Sequence, residues 1–110
     1  MHIKGALGAS MVDMDSGMTL GTLGNPGFDL EHASAGNADF VQTKLSLAKD
    51  LGIRDNLNDI VITFEDQIHL IKMFEDNPRV FTYLAMDAKK GNLALARMKL
   101  EEVDAELVLA

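Results

Sequence analysis

At 110 residues the chain is long enough for one domain, residues 1–110, that buries roughly two thirds of its unfolded surface. A formal net charge of −7 excludes a nucleic-acid binder, which needs a basic face, and the absence of cysteine excludes disulfides, thiol catalysis and thiolate metal sites. No apolar run is long enough to span a membrane and the N-terminus lacks a signal-peptide core, so membrane insertion is not expected and cytoplasmic residence is.

Gly5–Met14, GALGASMVDM, is a run of small and apolar residues. Ala, Leu and Met favour a helix, but each interior glycine costs one about 1 kcal/mol. Asp15-Ser16-Gly17 is a turn signal, with Gly17 suited to the left-handed position of a three-residue hairpin loop. Gly5–Met14 is therefore predicted as a strand and Met18–Leu23, MTLGTL, as its return. The glycines Gly5, Gly8 and Gly21 imply that something lies close over this hairpin.

Gly24-Asn25-Pro26-Gly27 breaks the chain, and Asp29 can accept from the first backbone N–H groups of a helix. Apolar residues at Leu30, Ala33, Phe40, Val41, Leu45, Ala48 and Leu51 recur at helical steps, with a weak patch at Ala35-Gly36-Asn37. A helix is predicted over Leu30–Leu51, with Gly52 just past its end.

Three apolar runs follow: IVITF from Ile60, IHLIKMF from Ile68 and VFTYLAM from Val80. The breaks between them, Glu65-Asp66-Gln67 and Glu75-Asp76-Asn77-Pro78, are too short for a parallel crossover, so the runs form an antiparallel meander. Alternation sets Ile60, Ile62 and Phe64 against Val61 and Thr63. It sets Ile68, Leu70 and Phe74 against His69, Ile71 and Met73, and Val80, Leu84 and Met86 against Phe81, Tyr83 and Ala85. Both faces are largely apolar and need cover.

Asp87 is a candidate cap for a final helix over Ala88–Leu107, with a stripe of Leu93, Ala96, Leu100, Val103 and Leu107. Its bases, Lys89, Lys90, Arg97 and Lys99, precede its acids, Glu101, Glu102, Asp104 and Glu106, an order that opposes the helix dipole. A solvated face accounts for this; the sharper alternative is an antiparallel copy of the same helix alongside. The whole order, β-β-α-β-β-β-α, predicts an α+β fold around one five-stranded antiparallel sheet with helices on both faces.

Little points to chemistry. His2, His32 and His69 have no His or Cys partner at ligand spacing, so no metal is expected. Asp13 and Asp15 open like a calcium loop, but Gly24 stands where the closing bidentate Glu is needed. Ser10, Ser16, Ser34 and Ser46 lack a nucleophile elbow, and no glycine pattern fits a phosphate or dinucleotide cofactor. No carboxylate has an obvious buried partner to shift its pKa. Met11, Met14 and Met18 read as core filling. The expectation is no cofactor, no catalytic residue and no enzyme.

Two segments nevertheless carry a family resemblance. GALGASMVDMDSGMTLGTLG resembles an opening pattern of small-Gly-small, Val-Asp, acidic-Ser-Gly and apolar-Leu-Gly. FTYLAMDAKKGNLALARMKLEEVDAEL resembles the closing apolar-Asp followed by Asn-Leu-Ala-Leu-Ala-Arg-x-x-Leu. Both patterns are those of the Roadblock / dynein light chain domain family, in its small single-domain bacterial members.

The resemblance implies a profilin-like sheet with Leu30–Leu51 on one face and the final helix on the other. The family usually has a helix before the first strand. Only Met1–Lys4 stands there in this sequence, so that helix is expected to be absent and its face left partly uncovered or covered by a neighbour. The resemblance further implies a homodimer, with higher association left open, whose interface is the edge strand: Asp59, Ile60, Val61, Ile62, Thr63 and Phe64 pair with their copies while the Leu30–Leu51 helices pack side by side. An edge as apolar as IVITF would invite aggregation if left unpaired. The implied function is non-catalytic regulation or scaffolding of a small Ras-like GTPase, as the bacterial members do; eukaryotic relatives are dynein-associated or GTPase-docking subunits. His32, Asp39, Gln42, Thr43, Ser46 and Lys49, on the polar side of the first helix, are the candidate docking residues. The alternative is a structural-assembly or small-ligand sensing domain unrelated to a GTPase.

Overall fold

Short breaks between β-branched runs leave the chain no choice but antiparallel neighbours, and the computed structural model has that arrangement. It describes residues 3–109, with side chains through residue 102. The elements are β1 (Ala6–Asp13), β2 (Thr19–Gly24), α1 (Leu30–Asp50), β3 (Asp59–Thr63), β4 (Gln67–Met73), β5 (Val80–Asp87) and α2 (Leu93–Leu109). The strands form one five-stranded sheet in the order β2-β1-β5-β4-β3, every neighbouring pair antiparallel. β5 is central, and all but its last residue are buried. The edges are β2 and β3.

Alternation divides the apolar residues into two cores. Val12, Ile71, Phe81, Tyr83 and Ala85 point to one face and pack with Leu30, Ala38 and Val41 of α1. Ala9, Leu70, Leu84 and Met86 point to the other and pack with Ala96 and Leu100 of α2. Ile60 joins the first core and Val61 the second, as the period of two requires. Helices therefore cover both faces, but unevenly. Directly paired residues share a face; Ala9 lies beneath α2, while its β2 partner Leu23 is exposed.

α1 sits close to β1 because small residues face it. Ser34 and Ser10 are both buried, their hydroxyls 2.8 Å apart, and Ser34 also donates to the Leu30 carbonyl at 2.6 Å. Asp29 caps the helix, its Oδ1 accepting from the N–H groups of Glu31 and His32. Gly52 takes a φ of 75° just past Leu51, the left-handed geometry expected at a helix end.

Four expectations need correction. The last helix begins at Leu93, not Ala88. Asp87 ends β5 and spends its carboxylate on a turn, accepting from Lys89 and Lys90 N–H at 2.8 and 2.9 Å. The cap is Asn92, whose Oδ1 accepts from Leu95 N–H at 3.0 Å. The first hairpin closes at Asp13 and Met18, around four residues rather than three, and Leu20 is the bulge that absorbs the register shift. Gly17 does adopt φ 73° there. Gly21 has open space over it; only Gly5, against Gly91, and Gly8, against Pro26, lie under a close neighbour. Phe40 and Leu51 of the predicted α1 core stripe are exposed. Val103 and Leu107 lie outside the described side chains.

Candidate interaction surfaces

Among the described residues β3 bonds only to β4, so its outer backbone groups form a free edge. Asp59, Ile60, Val61 and Ile62 are half-buried, and Thr63 and Phe64 are exposed. Phe64 lies just beyond the strand, its N–H donating to the Gln67 carbonyl at 2.8 Å. Asp59 is tied within the chain. Both of its oxygens accept from the Arg97 guanidinium of α2, at 2.8 and 3.0 Å, a planar two-bond pairing that raises the Arg97 pKa further. That pair clamps the start of the edge strand to the helix beneath it.

The six candidate docking residues of α1 are all exposed. Asp39, Gln42, Ser46 and Lys49 follow steps of three, four and three, and His32 lies two turns before Asp39, so they share one side of the helix. Two are already engaged. Gln42 donates its amide to the Met14 carbonyl at 2.7 Å, anchoring α1 to the β1–β2 loop, and the Thr43 hydroxyl donates back to the Asp39 carbonyl at 2.9 Å. Gln42, Thr43 and Ser46 line a shallow depression together with Leu47 and Asp50.

Sequence periodicity missed a second stripe on this helix. Phe40, Leu47 and Leu51 are exposed, at steps of seven and four, and Ile53 is exposed beyond them. Phe40 and Leu51 lie round the helix from Gln42, whereas Leu47 shares the depression with it. The signal in the sequence was an apolar set too wide for one face of a helix.

On the α1 side of β4 and β5 is a polar knot in apolar surroundings. His69 Nδ1 is 3.0 Å from the Tyr83 hydroxyl and Nε2 is 2.9 Å from Gln67 Oε1. The imidazole packs against Phe28, Phe64 and Tyr83 at centroid distances of 5.9, 4.9 and 5.3 Å. Burial lowers the His69 pKa and pushes that of Tyr83 up to about 12, so both are neutral near pH 7. A neutral His and Tyr with no nucleophile beside them make a structural knot rather than an acid–base pair.

Charges on α2 find partners in the chain itself: Arg97 with Asp59, Glu101 with Lys72 at 3.9 Å, and Lys99 with Glu102 at 3.6 Å. Among the described residues no three His, Cys, Asp or Glu side chains converge on a metal position, and no helix is long and apolar enough to cross a membrane.

No family model and no curated protein matches the sequence. Solved structures do match the fold. Myxococcus xanthus MglB superposes with a TM-score of 0.80 at 19% identity, covering 93% of this chain and 74% of that one. A Roadblock/LC7 domain from Streptomyces avermitilis gives 0.75 at 12% identity, covering 98% and 88%. The chain has the Roadblock/LC7 fold. A third similar structure, an MglB described as having a tetrameric arrangement, gives a TM-score of 0.71 at 20% identity over 94% of this chain and 75% of that one. The exposed α1 stripe and the β3 edge are both apolar, and neither has a partner among the described residues.

Proposed function

We propose that this Roadblock-fold chain is a non-catalytic regulatory or scaffold protein of the bacterial cytoplasm that works as a homodimer and docks on a small Ras-like GTPase. One observation carries the dimer: β3 is a free apolar edge, to which α1 adds the exposed stripe of Phe40, Leu47 and Leu51. Pairing of β3 with its copy would complete the backbone hydrogen bonds of Asp59–Thr63, and the α1 flanks would then meet and bury their stripes. The similarity of the fold to MglB, one structure of which is described as tetrameric, supports self-association.

GTPase docking rests on the Roadblock resemblance of the two end segments. The surface proposed for it is the outer side of α1, with His32, Asp39, Ser46 and Lys49 as free contacts. Gln42 and Thr43 contribute shape, since their side chains are bonded within the chain. Docking would act by favouring one arrangement of the GTPase switch segments, with no group donated to the reaction.

The test has two readouts. Sedimentation of the wild type should give a dimer or larger, and Ile62→Lys, on the β3 edge, should lower that mass. GTP hydrolysis by a GTPase encoded beside this protein should change when it is added, and Asp39→Lys with Lys49→Glu should abolish the change without altering the mass. An unchanged hydrolysis rate together with no complex on a sizing column would reject the GTPase reading and leave the dimer standing.

A further inference from the structure

The opposite edge of the sheet has its own peculiarity. β2 bonds only to β1, leaving one side of Thr19–Gly24 without backbone partners among the described residues. Met18, Leu20 and Leu23 are 68%, 59% and 54% exposed. From Gly17 to Phe28 there is no charged residue, although the chain carries a net −7. Edge strands are ordinarily protected by lysine, proline or cover. Thr19–Gly24 has no lysine and no proline, and Leu23 lies past the reach of α2. The bulge at Leu20 is its protection, and it leaves Gly21–Gly24 regular.

We propose that β2 is a second self-association edge, along which two copies of the chain pair antiparallel about a two-fold axis near Gly21. A second copy presents the same uncharged edge, so charge permits this pairing here and nowhere more readily. Two molecules of net −7 repel, and the repulsion is least where neither surface carries charge. Charge also selects the direction. A parallel pair would set Asp15 against Asp15, whereas an antiparallel pair sets it against the uncharged Gly24–Gly27 of the other copy, with Arg79 already 2.9 Å from Asp15 on its own chain. The backbone can come close, since nothing lies within 4 Å of a Cβ built on Gly21.

This edge is independent of the β3 dimer. If both operate, two isologous contacts at opposite ends of one sheet do not close. Dimers then join into an open ribbon whose length rises with concentration.

The absence of cysteine makes the test clean. In Gly21→Cys the new thiol points into open space and should cross-link two copies under mild oxidation. Met18→Cys, at the exposed end of the strand, should cross-link far more slowly, because an antiparallel partner places residue 18 away from its own copy. By sedimentation, Leu23→Lys should remove the concentration-dependent growth in mass while retaining whatever Ile62→Lys abolishes. Equal cross-linking of the two cysteine variants, a wild-type mass that does not grow with concentration, or growth that persists in Leu23→Lys would each overturn the proposal. Equal cross-linking would indicate a parallel or random encounter. Absence of growth would leave the edge to an extended segment of another protein.

Discussion

Mild acid should destabilise this protein through one histidine. Gln67 Oε1 can only accept, so His69 carries its proton on Nε2, and Nδ1 accepts from the Tyr83 hydroxyl. Protonation adds an N–H on Nδ1 facing the Tyr83 oxygen. It therefore requires that hydroxyl to turn round inside a ring of Phe28, Phe64 and Tyr83. Burial already holds the His69 pKa below its ordinary 6.5, so the folded state binds the proton less readily than the unfolded one. Its contribution is thus complete above about pH 6.5, falls as the pH drops toward the folded-state pKa, and is level below that. One proton sets a limit of about 1.4 kcal/mol lost per pH unit within the window. Against a total of roughly 5–15 kcal/mol for a domain of this kind, that is a readable change. The acids that are also shifted do not interfere. Asp13, held down chiefly by the Ser16 hydroxyl, and Asp87, held down by the Lys90 and Lys89 amides, release their stabilisation only as the pH falls below the ordinary carboxylate value of 3.8. The assay is urea unfolding followed by circular dichroism at about pH 7.5, 6.5 and 5.5, at one protein concentration, for wild type and His69→Gln. The wild type should lose stability over that range and His69→Gln should lose much less. Equal losses in the two proteins would refute the assignment.

Two further outcomes follow from close contacts. Ser34→Ala leaves the buried Ser10 hydroxyl without its partner and should cost about 1–3 kcal/mol in chemical denaturation, whereas removing both hydroxyls should cost less than the two single changes added. Gly5→Ala combines a φ of 80° with a Cβ only 2.7 Å from the Gly91 nitrogen and should lower stability by more than about 1 kcal/mol. Gly36→Ala, within α1 and facing open space, should instead raise stability by up to about 1 kcal/mol, and the two melting temperatures should move in opposite directions.

The strands are legible because three apolar runs with short polar breaks admit one arrangement, whereas the central place of β5 came only from the structure. The start of α2 is harder. Asp87 and Asn92 are both helix-capping residue types, five positions apart, and periodicity cannot tell which one opens the helix. What decides it is tertiary. Between them Gly91 lies where a Cβ would meet the Asp87 carbonyl oxygen and the Met86 sulfur at 2.7 Å, so the chain makes a tight turn before it can coil. The surface on α1 was half legible. The exposed polar side was readable from the pattern, but the Gln42 bond to Met14 joins residues 28 apart and leaves no local trace. Phe40 and Leu51 read as core because interface and core stripes share the same helical step.

That ambiguity has a physical meaning. A helix serving only its own sheet would turn its largest apolar residues inward. α1 does so only in part: Leu30 and Val41 enter the core beside the small Ser34 and Ala38, while Phe40, Leu47 and the capping Leu51 face outward. Small inward residues let the helix lie close, which suits the Ser10–Ser34 bond, but apolar area is left on the outer flank, where it gains nothing in a single chain. Exposed apolar residues scattered singly need no explanation; three aligned along one helix make a patch. The same patch separates the two ways in which this fold could bind itself. In the proposed β3 pairing a strand edge and the α1 stripe would be buried together, which would give a large apolar contact. At β2 an edge meets an edge with only Met18, Leu20 and Leu23 to bury. The β3 contact should therefore survive dilution that dissolves the β2 contact, and a sedimentation series should resolve two steps in that order.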